Sequence, residues 1–392
     1  MTVHRRLTCI TPPYILQNLL GSDDAQIRRA ALATLVSTAQ LRGQRELRAA
    51  LSGMAAAPVD GRRTVFDCRS GIVLRLAVIA RSEGHPAVAD DSVNRAYDGF
   101  GVTRDFLREV FERDSIDGRG MRLHGYVHRG VRYNNAFWDG SEMVFGDGDG
   151  LIFSDFTGSL DVIAHELAHG VTEFTAGWEY HGQSGALNES MSDVFGAMVK
   201  QWALKQSAAD ADWLIGADVF TPGVDADALR SLKAPGTAFD NELFGKDPQP
   251  AHMDDYVRSP DTEEGDFGGV HVNSGIPNKA FHLLATALGG NSWEAPGRIW
   301  YESLKASTPL AQFTDFATTT HRVAGDLFGA GGAEQQAVAE AWGSVGVPVA
   351  TAAPEAPGAP EATIAALSQQ VEALNAQVRA LATDIQALSG RP

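Results

Sequence analysis

Residues 161–174 read DVIAHELAHGVTEF, and no other stretch limits the fold as strongly. His165 and His169 are four apart, so on a helix they stand on one face, one turn above the other. Two imidazoles so placed can hold one zinc ion, with Glu166 beside them as a base toward water. Such a pair needs a third ligand. Glu189 is the candidate, in a second run of helical spacing, GALNESMSDVFGAMV. Two His and one Glu leave the fourth position of a tetrahedral ion open, as catalysis requires. Asp193, one turn after Glu189, can take the remaining N–H of a ligating imidazole and fix its tautomer. The apolar neighbours Leu187, Met191, Val194 and Phe195 put this second helix partly in a core.

Charge narrows the class. The 392 residues carry a net charge of −17, which argues against nucleic acid and anionic membrane surfaces as partners. Aspartate-rich stretches such as 254–255 and 261–266 read as solvated loops. Two cysteines, Cys9 and Cys68, cannot make a disulfide framework, although they could pair once. No run of about 18 apolar residues exists, so no membrane span is expected. The N-terminal apolar stretch CITPPYIL is broken by Pro12 and Pro13 and soon turns polar, which disqualifies it as a secretory signal. Synthesis in the cytoplasm, with any export by a non-classical route, is the expectation.

The chain divides by composition. Residues 1–52 form a small unit in which Ser22–Asp24 can cap a helix with Ile27, Leu32, Leu35, Leu41 and Leu47 along one stripe. Strand-like runs between Gly and Asp turns dominate 62–159, interrupted by a helical stretch near 91–113. Residues 160–347 are mostly helical. The class is α+β, a strand-rich lobe followed by a helix-rich one. Residues 348–362 are a Pro/Ala linker. In 363–389, Ile364, Leu367, Val371, Leu374, Val378, Leu381, Ile385 and Leu388 follow unbroken 3-4 spacing. That pattern predicts a parallel two-stranded coiled coil and hence a homo-oligomer, with a single docked amphipathic helix as the alternative.

Four motifs together, YNNAFWDG (133–140), HELAH, SGALNESMSD (184–193) and GGVHVNSGIPNKA (268–280), closely resemble the thermolysin family of zinc metallopeptidases. The resemblance spans about residues 62–347 with the motifs in family order. It implies two lobes joined by the helix bearing His165 and His169, one catalytic Zn²⁺ in the cleft, and protein or peptide substrates. Glu166 would be the base, and His271 and Tyr180 would stabilise the oxyanion, with Asp266 orienting His271. Asn135 and Ala136 would hold the substrate strand, and Arg230 would grip a substrate carbonyl. Phe153, Val162, Ile215 and Leu229 fall where the family lines the pocket after the cleaved bond. All four are apolar, so cleavage before large hydrophobic residues is expected.

Two departures stand out. The family's double calcium site keeps Asp161 and Asp212, but Lys200, Leu214 and Ala217 occupy other matching positions. One ammonium can neutralise both carboxylates, whereas two Ca²⁺ ions need many more oxygens, so the double site is predicted absent. The short leader is similar to that of the protealysin-like branch, in which a Pro-Pro-Tyr segment starts a pro-peptide. Cys9, Pro12, Pro13 and Tyr14 would then lie in the cleft and inhibit. Cys9 could ligate zinc as thiolate, or pack as a small apolar residue. The Pro12–Pro13 bond would resist cutting. A catalytically silent zinc scaffold assembled through the coiled coil is the competing reading. It would not need Glu166, Tyr180 and His271 intact.

Overall fold

The structure, a computed structural model, describes residues 7–51 and 63–350, with 43–51 as backbone only. The chain divides into two units, 1–349 and 350–392. The expected coiled coil at 363–389 and nearly all of the linker fall outside the described residues.

Six strands form one sheet: β1 (Thr8–Cys9), β2 (Arg63–Asp67), β3 (Val78–Ser82), β4 (Leu123–Val127), β5 (Ala136–Trp138) and β6 (Met143–Phe145). Their order is β1-β5-β6-β4-β2-β3. Asp139 makes the β5–β6 hairpin, because its side chain accepts the N–H groups of Ser141 and Glu142. The outermost strand on that side, β1, comes from the leader. It pairs antiparallel with β5, Thr8 opposite Trp138 and Cys9 opposite Phe137.

The leader continues as α1 (Pro13–Leu19) and α2 (Ala25–Leu51). Pro12 and Pro13 end the strand for a physical reason: neither has an N–H to offer a ladder, and Pro13 takes the first helical position, where none is needed. Asp24 caps α2 by accepting the Gln26 N–H. The buried face of α2 is Ile27, Ala30, Ala31, Thr34 and Thr38, while Leu32 is 53% exposed. Of the stripe expected from spacing, Ile27 is buried and Leu41 packs against the cluster of Tyr133 and Phe137, while Leu32 faces solvent. Small and hydroxyl side chains share the docking face, because the surface beneath offers polar partners: Thr34 Oγ1 accepts from the Asn134 N–H, and Thr38 Oγ1 bonds the Tyr133 hydroxyl.

After α3 (Asp91–Phe111), the helical half comprises α4 (Leu160–Glu173), α5 (Gly182–Leu204), α6 (Asp266–Asn273), α7 (Gly275–Leu288), α8 (Ala295–Lys305), α9 (Phe313–Phe328) and α10 (Ala333–Ser344). Two-residue strands β7 (Leu214–Ile215) and β8 (Arg230–Ser231) pair beside α5, and β9 (Asp240–Asn241) pairs with β10 (Gly245–Lys246). Every residue of α4 from Asp161 to Thr172 is buried, as expected of a helix packed on all sides. The two site helices approach closely where α5 has Gly196, since a Cβ there would stand 2.7 Å from the Asp161 carbonyl oxygen.

Candidate active site

The metal cage is built by α4 and α5. His165 and His169 point their Nε2 atoms at one another, 3.0 Å apart. Glu189 Oε2 is 3.5 Å from His165 Nε2, and Oε1 is 3.5 Å from His169 Nε2. Among the described residues these three form the one such cluster of ligand atoms. The opposite ring nitrogens are held. His165 Nδ1 is 2.8 Å from Asp193 Oδ1, and His169 Nδ1 is 2.8 Å from Asn188 Oδ1 and 3.0 Å from Ser192 Oγ. Asn188 and Ser192 were not anticipated from sequence. The signal existed: each ligating imidazole needs an acceptor on its far side, and only one had been assigned.

The donor set fits zinc. Glu189 Oε2 is buried with no hydrogen-bond partner, and the facing imidazoles are close to the roughly 3.4 Å separation that two tetrahedral Zn–N bonds impose. Burial, reinforced by the nearby His165, holds His169 well below the usual imidazole range, so it is neutral and able to ligate.

Around the cage stand the acid–base groups. Glu166 is fully buried; Oε2 accepts the Trp138 N–H at 2.9 Å, and Oε1 has no hydrogen-bond partner. Burial, then the Glu189 charge, pushes its carboxyl well above the usual range. Across the cleft His271 Nδ1 is 2.5 Å from Asp266 Oδ1, and Asp266 Oδ2 accepts the His271 N–H at 2.8 Å. Asp266 and Phe267 hold positive φ (55° and 50°), ahead of Gly268 and Gly269 at 85° and 77°, a strained turn that lets one carboxylate grip ring and backbone together. Burial would lower the His271 pKa, but Asp266 and Glu189 raise it to about 9. The Tyr180 hydroxyl donates to Glu189 and lies 3.5 Å from His271 Nε2.

The leader strand runs through this constellation. His271 Nε2 is 2.9 Å from the Cys9 carbonyl oxygen. The Ile10 N–H donates to the Ala136 carbonyl at 3.2 Å and also reaches toward Glu166. Arg230 Nη1 donates to the Ile10 carbonyl at 3.0 Å, and the Thr11 N–H donates to Asn135 Oδ1 at 3.0 Å. Arg230 is itself fixed by Asp193, Nε to Oδ2 and Nη2 to Oδ1, both at 2.8 Å. Burial would raise the Asp193 pKa, but Arg230 and His165 hold it well below the usual range.

The bond drawn across the site is thus Cys9–Ile10, not Pro12–Pro13. Cys9 meets the site through its carbonyl, which corrects the thiolate alternative. Strand carbonyls point sideways and side chains point to the faces, so the sulfur turns into a cluster with Leu7, Tyr133 and Phe137. It is absent from the metal cluster, and burial, opposed by Arg42, lifts the thiol to about 12. Cys68 follows β2, which three strands separate from β1 within the sheet, four strand spacings or about 19 Å, and both cysteines are free. The Ile10 side chain is fully buried in the core that also holds Phe153, Val162, Ile215 and Leu229. Tyr14 places its hydroxyl in that interior without a hydrogen-bond partner. Lys200 Nζ bridges Asp161 Oδ2 at 3.2 Å and Asp212 Oδ2 at 3.0 Å.

An extended peptide added to a sheet edge, with one bond stretched between a buried three-ligand cage and a histidine donor, is how a metal-dependent endopeptidase presents its substrate. Comparison with known proteins gives the same class. The thermolysin metallopeptidase catalytic-domain family matches residues 83–173, and the thermolysin metallopeptidase α-helical-domain family matches 176–347. An extracellular metalloprotease of Pectobacterium carotovorum is 47% identical over 347 residues, 88% of this chain and 98% of the relative. Protease PrtS of a Photorhabdus species is 43% identical, covering 87% and 92%. The precursor of protealysin, a metalloproteinase from Serratia proteamaculans, superimposes with a TM-score of 0.78 at 46% identity, over 87% of this chain and 99% of that one. The chain belongs to the thermolysin family of zinc metalloendopeptidases.

Proposed function

We propose that this enzyme cuts peptide bonds before large hydrophobic residues and is made as a latent precursor, residues 1–52 being a pro-peptide whose Cys9–Leu16 segment fills the cleft. The observation that carries the reading is the Cys9–Ile10 peptide group, held by His271 on one side and by Ala136 and Arg230 on the other. Held by His165, His169 and Glu189, zinc would supply a Lewis acid and acidify water. The remaining chemistry belongs to the chain. Glu166 takes a proton from the attacking water and passes it to the amide nitrogen at the place of Ile10 N. His271 donates Nε2–H, and Tyr180 its hydroxyl, to the oxygen at the place of the Cys9 carbonyl as charge develops there. Asp266 keeps the His271 ring protonated and oriented, while Arg230, Asn135 and Ala136 hold the strand. Ile10, apolar and buried immediately after the presented bond, supports the hydrophobic preference.

Mass spectrometry of the full chain beside Glu166→Ala tests this. Wild type should lose about fifty N-terminal residues, and Glu166→Ala should keep them and cleave no casein. Loss of the leader by both would remove self-processing; casein cleavage by Glu166→Ala would remove the mechanism. The same spectra report whether Cys9–Ile10 is cut.

Three further proposals accompany this one. Lys200 replaces the double calcium site, so the melting temperature should not respond to calcium. Residues 363–389 make the enzyme oligomeric, so truncation after residue 362 should yield monomers in sedimentation. The protein is made in the cytoplasm and exported, if at all, non-classically, which fractionation of producing cells would test. Among the described residues no helix is long and apolar enough to cross a membrane.

A further inference from the structure

Arg129 is one of the largest fully buried side chains, only 2% exposed. Its guanidinium lies over the Tyr133 ring at 4.4 Å and the Phe137 ring at 5.7 Å. Nη2 donates to Ser37 Oγ of the leader helix at 2.9 Å; Nε and Nη1 have no hydrogen-bond partner. Among the described residues no carboxylate pairs with it. A buried cation stacked on aromatic faces is partly stabilised, yet a guanidinium with two nitrogens that donate to nothing and no counter-charge can still donate a charge-assisted hydrogen bond to a carboxylate.

The leader shows what passes over this spot. Cys9 and Leu7 are two apart, so on an extended strand their side chains share a face. Both belong to the cluster of Tyr133 and Phe137, the rings under Arg129. The leader covers the guanidinium with Ser37, and its Leu7 and Cys9 pack in the cluster of the rings on which the guanidinium lies. Removal of the leader would take away this cover, beside the residues that precede the presented bond.

We infer that Arg129 forms an acidic-residue subsite: the mature enzyme prefers substrates with Glu or Asp where the leader has Cys9 or Leu7, immediately before the cut or two residues further back. The inference rests on the leader strand holding the substrate's place. Arg129 is a specificity determinant and takes no part in proton transfer.

The test uses the full chain after its own maturation and peptide sets carrying Glu, Gln or Lys at each of three positions before a Phe-directed cut. Glu over Gln at the position of Cys9 or Leu7 should raise kcat/KM about tenfold, as expected of a desolvated charge-assisted pair. The preference should shrink in high salt, persist in Arg129→Lys, vanish in Arg129→Gln, and turn toward Lys in Arg129→Glu. Melting curves of the variants separate misfolding from lost recognition. Should a variant fail to mature, the wild-type comparison decides alone. Absence of any Glu preference in wild type, or its survival in Arg129→Gln, overturns the inference and leaves the leader reading intact. A preference that depends on Arg129 but falls on the middle position overturns the register taken from the leader instead.

Discussion

Two buried arginines flank the same stretch of backbone, and they are provided for in opposite ways. Arg230, after the presented bond, has a bidentate partner in Asp193 and grips the Ile10 carbonyl with what remains. Arg129, before that bond, has a serine hydroxyl and two aromatic faces. The contrast extends to the adjacent residue. His128 contacts a carboxylate through each ring nitrogen, Asp147 and Asp90, both at 2.8 Å. A buried charge with its counter-charge inside the fold is scaffold: it holds a ligand helix, a carbonyl or a loop in one place. A buried charge without one remains chemically unsatisfied until something else arrives.

The contrast predicts unequal costs. The largest should come from Arg230→Met, which leaves Asp193 buried between His165 and Asn278 without its cation. Loss of about 3–5 kcal/mol is expected, measured by denaturant unfolding in a Glu166→Ala background that prevents self-digestion. Ser37→Asp supplies from the leader the carboxylate that Arg129 lacks, and should slow loss of the leader about tenfold, the size of one charged hydrogen bond, read from the half-time of maturation. Arg129→Met in the precursor should not lower unfolding stability by more than about 1 kcal/mol and can raise it, because the substitution removes a buried charge that has no counter-charge. A loss as large as that of Arg230→Met would erase the distinction. The smallest effect concerns His128. Its bond to Asp147, opposed by burial and helped by Asp90, raises its pKa to about 9. A raised imidazole pKa stabilises fully below the ordinary 6.5 and loses that contribution as pH climbs toward 9. The melting-temperature gap between wild type and His128→Gln should therefore be widest near pH 6 and close by pH 10. Half-exposed as it is, His128 should contribute no more than about 1 kcal/mol.

Much of the site was legible because metal chemistry demands residue types at fixed spacings. His165, His169 and Glu189 sit on helical periods, and Asp193 and Lys200 follow from the partners that imidazoles and paired carboxylates require. What stayed hidden depends on orientation rather than spacing. The sequence offers the Cys9 sulfur as the reactive atom, while the strand turns its carbonyl to the site. The stripe along α2 suggests a wholly apolar docking face, yet the surface below carries Asn134 and Tyr133, so Thr34 and Thr38 dock beside Ile27 and Leu41 while Leu32 faces solvent. Arg129 gave no warning, since an arginine between a glycine and a histidine reads as solvated until an element thirty residues from the N-terminus covers it.

The leader strand also has a kinetic consequence. A cleft filled by residues 8–11 of its own chain cannot at the same moment receive the junction near residue 52 of that chain. In the latent reading, the first cut at that junction must be made by a molecule already open, and each product then becomes a catalyst for the next. Conversion would show a lag, accelerate, and shorten with protein concentration or with a trace of mature enzyme. On that reading the β1–β5 pairing would make activation a property of the population rather than of the single molecule.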